Sequence, residues 1–141
     1  MASGKVHDKS IKDTTIAVGV AALIVTGDPI MGITVAGSHL LGGLFLSPDL
    51  DIYSLPFKRW GFLKFYWLPY QRAIPHRSFI SHTPVIGSLL RLLYLAFPIL
   101  ILLILLQVDL VSLLGGNMFY LACIWFGAET SALVHLWLDY K

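Results

Sequence analysis

Charge is scarce in this chain. Of its 141 residues only 13% are Asp, Glu, Lys or Arg, about half the share usual in soluble domains. The formal net charge of +2 is too small to call for a nucleic-acid partner. There is one cysteine, Cys123, so no internal disulfide can form. In its apolar run it reads as a small packing residue. No internal repeat and no low-complexity linker divides the chain, which leaves one domain over residues 1–141. Residues Met1 to Asp13 are polar and no small-x-small site follows the next apolar run, which argues against a cleavable signal peptide.

What is present is apolar: hydrophobic residues make up 57%. A soluble domain of this size would leave much of that surface in water, so a bilayer is the better solvent. The runs lack the alternation of a membrane barrel, and the expectation is an all-α integral membrane bundle of about four helices. The spans fall at about residues 11–26, 30–46, 85–106 and 118–138. The first has only 13 apolar residues, Thr14–Thr26, and reaches a usable length through Ile11 with Lys12 snorkelling to the interface. Gly27-Asp28-Pro29 marks a turn before the second span.

Lys and Arg set the orientation. The N-terminal segment carries Lys5, Lys9 and Lys12. Lys58, Arg59, Lys64, Arg72 and Arg77 lie in the long loop 47–84. The two short connections carry Asp28 and Asp109 and no basic residue. Four spans then put both termini and the long loop on the cytoplasmic side. In that loop basic residues interleave with Phe57, Trp60, Phe62, Phe65, Tyr66, Trp67 and Tyr70. Rings and cations in this pattern suit the lipid headgroup layer. Stacking on nucleic-acid bases is the competing use of such a pattern, and the flanking spans disfavour it.

Seven candidate metal ligands gather on the same side: His7, Asp49, Asp51, His76, His82, His135 and Asp139. Asp49 and Asp51 follow the second span, where an extended strand would aim both carboxylates one way. His76 and His82 sit six residues apart between Pro75 and Pro84. His135 and Asp139 are i and i+4 on one helix face, the spacing of the paired ligands in H-E-x-x-H. Each set also has a structural reading, as turn former, surface loop or helix-end pair. Imidazole with carboxylate suits zinc, and also manganese or iron. His7 on spacing alone reads as a solvated terminal residue. Arg77 is placed either to grip a phosphate or carboxylate or to set topology. Ser78 and Ser81 can orient ligands. Deeper in the spans, Glu129 lies off the His135 face and is expected either to pair with Arg91 or to serve as a general base. His39 is expected to make an interhelical hydrogen bond.

The motifs S-G-x-x-H-D (Ser3–Asp8), G-G-L-F-L-S-P-D-L-D (Gly42–Asp51), the R-W-G and W-x-P-Y region around Trp60 and Tyr70, P-H-R-S-x-x-S-H (Pro75–His82) and E-x5-H-x3-D (Glu129–Asp139) resemble a family of small metal-binding membrane proteins common in cyanobacteria. The family is in turn distantly similar to membrane-bound metal-dependent hydrolases and to the zinc-dependent phospholipase C and single-strand nuclease superfamily. The resemblance implies a bacterial inner or thylakoid membrane and promotes His7 to a ligand. With five histidines, one or two divalent ions fit better than three. Two functions follow. One is a metal-dependent hydrolase of a phosphoester or lipid at the cytoplasmic face, with Glu129 and Arg77 as catalytic candidates. The other is a non-catalytic small subunit of a larger membrane complex, photosynthetic or otherwise, with a structural metal. A transporter fits less well, because transport sites lie near the bilayer midplane.

Overall fold

The computed structural model describes residues 3–141, and no strand occurs among them. Four long helices carry the architecture: α1 (Gly4–Thr26), α2 (Pro29–Phe45), α6 (Ile86–Leu105) and α7 (Leu110–Tyr140). Between α2 and α6 the chain forms α3 (Leu55–Arg59), α4 (Leu68–Ala73) and α5 (Phe79–His82), with 3-10 turns at Pro48–Asp51 and Gly61–Trp67.

The helix boundaries follow local chemistry. Gly27 takes φ 68° to close α1, a left-handed stop that glycine adopts without a Cβ clash. Asp28 then caps α2 by accepting from the Ile30 N–H at 2.8 Å, with Pro29 in the first turn. Asp109 caps α7 through the Val111 and Ser112 N–H groups, each 3.1 Å away. The two acids of the short connections are therefore caps.

Pro29–Asp51, Ile86–Leu105 and Leu110–Tyr140 are long and apolar enough to cross a membrane. Helix α1 is not among them, where four spans were expected. Its first three turns carry Lys5, Asp8, Lys9, Lys12 and Asp13. The apolar remainder, 13 residues, rises only about 20 Å against a hydrocarbon core of about 30 Å. Helix α7 also departs from expectation. It begins at Leu110 rather than near residue 118 and runs 31 residues, about 46 Å.

Packing is uneven. Helix α2 sits between α1 and α7 and packs closely on both. A Cβ on Gly127 would meet the Val35 carbonyl at 2.5 Å, so only glycine lets α7 lie this close to α2. In contrast, α7 is exposed from Val111 to Ala122, and most of α6 beyond Arg91 is at least partly exposed. The deep imidazole behaves as expected. His39 is fully buried, with Nε2 2.9 Å from the Thr14 hydroxyl on α1 and Nδ1 2.9 Å from the Thr130 hydroxyl on α7.

The 47–84 segment builds its own core from Leu50, Phe57, Trp67, Tyr70 and Ile74, with Trp60, Tyr66 and Tyr94 packed against it. The aromatic set that looked like a uniform headgroup belt thus divides. Trp67 and Tyr70 are buried, whereas Phe62 is 80% and Phe65 64% exposed. Arg59 fastens this cap to the helices. It donates to the Leu44 carbonyl at the end of α2 at 2.8 Å and pairs with Asp8 on α1.

Candidate metal centre

All seven sequence-derived donors meet at the junction of the cap with the helix ends. They form three triads whose donor atoms lie within 4.8 Å of one another: His7, His135 and Asp139; Asp49, His82 and His135; Asp51, His76 and His82. His135 and His82 each belong to two triads, so the cluster is continuous.

Each donor is delivered by a local feature. On α1, His7 and Ile11 are four residues apart and share the buried face. His7 Nε2 reaches Asp139 Oδ1 at 3.2 Å, and its ring stacks on His135 with centroids 3.9 Å apart. His135 and Asp139 hold the expected i, i+4 relation at 3.4 Å. The two acids after α2 do not. Pro48 opens a 3-10 turn rather than an extended stretch, and at three residues per turn the side chains of i and i+2 diverge. Asp49 therefore reaches His135 Nε2 (3.5 Å). Asp51 instead faces His76 Nδ1 (2.8 Å) and His82 Nδ1 (3.6 Å). Gln71 fixes the turn by donating from its side-chain amide to the carbonyls of Leu50 and Ile52, both at 2.9 Å.

Two serines set ring orientation. Ser81 Oγ lies 2.8 Å from His82 Nδ1, and its own hydroxyl donates to the Ser78 carbonyl, so it accepts from Nδ1–H. Ser47 Oγ lies 3.2 Å from His135 Nδ1. With Nδ1–H engaged in this way, Nε2 of His82 keeps its lone pair for a ligand, and Ser47 can accept from His135 Nδ1–H in the same manner when Nε2 meets a cation. Ser81 was a sequence candidate for this role. Ser47 was not, although its place immediately before Pro48-Asp49 was the available signal.

The residues fit a cation. His7 Nδ1, Asp49 Oδ1, His82 Nε2 and His135 Nε2 are buried polar atoms with no hydrogen-bond partner. An unsatisfied buried polar group costs about 1–3 kcal/mol. Four would cost about 4–12 kcal/mol against a usual net stability of about 5–15 kcal/mol. Three of the four belong to the middle triad, Asp49, His82 and His135. The charge balance agrees. Three carboxylates stand against two guanidiniums, the buried Arg91 near Asp51 and Arg77, which is half-exposed and 3.9 Å from Asp139 Oδ2. Such a surplus of buried negative charge favours a divalent ion.

Protonation favours it too. Burial lowers the pKa of His7, and His135 adds to the effect. Burial also lowers that of His82, outweighing the opposing pull of Asp51, and His76 adds to the lowering. Both rings are thus biased to the neutral form that binds metal.

The chain belongs to the DUF2227 family of uncharacterised metal-binding proteins. The family model matches residues 2–131, which takes in His7, Asp49, Asp51, His76 and His82 and stops before His135 and Asp139. A 58-residue stretch is 52% identical to an uncharacterised protein from Aquifex aeolicus (strain VF5), covering 40% of this chain and 40% of that one. No solved structure matches the chain. The DUF2227 description as metal-binding and the orphaned donors in the cluster are independent observations pointing to the same chemistry.

Two sequence candidates lie beside this cluster rather than in it. The Arg77 backbone N–H donates to Asp51 Oδ2 at 3.3 Å, with φ at 58°, and its side chain is half-exposed at the rim. The expected Arg91–Glu129 ion pair does not form. Arg91 donates to the Ser81 carbonyl at 2.8 Å, and the Glu129 oxygens accept from the Val85 N–H at 3.0 Å and from the Ser88 hydroxyl. An apolar groove between α1, α2 and α7 is lined by none of the donors.

Proposed function

We propose that this protein is a metal-dependent hydrolase of a phosphoester or lipid headgroup, working at the cytoplasmic face of a bacterial membrane. The observation that carries the reading is the donor cluster with its rim. The cluster offers seven His and Asp ligands, more than a closed tetrahedral structural site uses. Beside it stand the half-exposed guanidinium of Arg77 and the most exposed donor, His76. Asp49, His82 and His135 would hold the ion, with His7 and Asp139 on one side and Asp51 and His76 on the other. Zinc suits this N/O donor set best, and one or two ions can be accommodated. When bound, the metal supplies Lewis-acid polarisation of a phosphoryl oxygen and lowers the pKa of water.

The chain's own residues do the rest. Ser47 and Ser81 fix the ring orientations. Arg77 meets the phosphate anion from the rim, in the bidentate manner open to a planar guanidinium. Asp139 and Asp49 have carboxylate oxygens at the centre that can take a proton. The exposed Phe62, Phe65 and Phe79 suit the headgroup layer, which would bring a lipid substrate to the rim. In this reading α1 enters the bilayer beside the three longer spans, and both termini are cytoplasmic.

A specific observation favours a second reading. The donors come from five chain segments, so an ion would also clamp cap to helices, as in a structural site within a small subunit of a larger complex. Full chain purified in detergent, loaded with zinc and assayed on phosphodiester and phospholipid substrates separates the two. The hydrolase reading expects product release that a chelator abolishes and that the His76→Ala/His135→Ala double variant lacks. Undiminished turnover in that variant would sink it. Zinc retention and chelator-induced unfolding without turnover would leave the clamp.

A further inference from the structure

The segment joining the metal-site loop to α6 turns on Val85. Its φ of 69° and ψ of −59°, with the Ile86 N–H donating to the Pro84 carbonyl at 2.8 Å, make a γ-turn of the rare positive-φ form. A β-branched residue in that region is a steric outlier. Such a conformation persists only where the surroundings over-determine it.

The surroundings here are a buried carboxylate. Glu129, only 6% exposed, projects from α7 and accepts from the Val85 N–H through Oε1 and from the Ser88 hydroxyl through Oε2. Ser88 also accepts from Trp125 Nε1 at 3.2 Å. Three residues before Val85 stands His82, and six residues after Glu129 stands His135. The joint therefore fixes the distance between two donors of the middle triad. A second tie holds the other side of the turn. Arg91 donates to the Ser81 carbonyl, and a Cβ on Gly87 would meet that carbonyl at 2.6 Å, so the loop lies flush on the first turns of α6.

We propose that Glu129 is a positioning residue for the metal centre, anchoring the strained Val85 turn to α7 and so setting His82 opposite His135. This rests on the metal-centre reading above. Glu129→Gln has the size to remain in place, but its amide nitrogen cannot accept a hydrogen bond. The anchor becomes neutral, and Ser88 must turn its hydroxyl from residue 129 to the Val85 carbonyl, 3.1 Å away, or the Val85 N–H loses its acceptor. Glycine at 85 reaches φ 69° without the Cβ clash, and the turn then needs the anchor less.

The test uses detergent-purified full chain: wild type, Glu129→Gln, Val85→Gly and the double variant. Zinc affinity is read by chelator competition, site geometry by the absorption of the cobalt(II)-loaded protein, and the Tm of metal-free protein by melting. Glu129→Gln is expected to weaken zinc about 10–100-fold, the range for residues supporting metal ligands, and to shift the cobalt spectrum. Adding Val85→Gly is expected to restore most of the affinity and the spectrum. Val85→Gly alone should keep zinc affinity and raise the metal-free Tm by a few degrees. Unchanged zinc affinity in Glu129→Gln overturns the proposal, and so does a double variant no better than the single. If Glu129→Gln fails to fold, Val85→Gly still decides, since a lowered Tm refutes the strain. A His135→Ala variant that binds zinc like wild type would instead mark the failure of the metal centre itself.

Discussion

The 47–84 cap and the outer half of the α6–α7 hairpin are built from similar apolar material and use it in opposite ways. In the cap, Leu50 and Trp67 are fully excluded from solvent, and the Trp60 indole and the Gln71 amide donate to the Phe45 and Leu50 carbonyls. In the hairpin, Ile104, Leu105 and Val111 are 60%, 74% and 84% exposed. The helices there satisfy their own backbone and leave their side chains to the surroundings. Precision is concentrated where donors must be aimed. The outer helices need only be long and apolar, a condition a bilayer would reward without specific contacts.

Substitutions that treat the two regions alike would break this contrast. Trp67→Ala removes a fully buried ring and should cost about 3–5 kcal/mol, read as a large drop in Tm. His135→Ala removes the donor shared by two triads. It should abolish stoichiometric zinc in elemental analysis while circular dichroism keeps its helical content. Ser47→Ala frees His135 Nδ1 and should weaken zinc about 10–100-fold in chelator competition with little change in Tm. Retention of full affinity there would show that the ring is held by packing alone.

The smaller effects sharpen the same comparison. His7 and His82 have pKa values lowered below the ordinary 6.5. Between their folded values and 6.5 the unfolded chain binds more protons than the folded one. The metal-free protein should therefore lose stability as pH falls through 6.5, seen as a falling Tm between about pH 7 and pH 5. Last, Ile104→Ala on the exposed hairpin should change stability by no more than about 0.5 kcal/mol. A loss as large as that from Trp67→Ala would show a specific partner on that face.

The long apolar runs of α2 and α6 were legible because their boundaries coincide with composition, and so were the i, i+4 pair on α7 and the convergence of seven donors. What was not legible depends on contacts between distant segments. The span expected from residue 118 extends back through Gly115-Gly116-Asn117 to Leu110, since in so apolar a stretch an intact helix is the cheapest way to satisfy the backbone. The divergence of Asp49 from Asp51 follows from a 3-10 turn that Gln71 holds from 20 residues away. The aromatic residues of the cap announce their amphipathic character, but which ring goes inside depends on partners outside the run, Leu50 ahead of it and Tyr94 on α6. Glu129 and Arg91 looked like an ion pair because both are costly to bury. Each instead found backbone and hydroxyl groups at the Val85 joint.

The contact between His7 and Asp139 spans 132 positions of sequence. During synthesis the first donor therefore emerges long before the last, and the cluster stays incomplete until α7 has been made and has docked on α2. The full set of donors is open to a cation only after that docking. Chains trimmed within the last turn of α7 would lose Asp139 and leave His7 and His135 without their shared carboxylate.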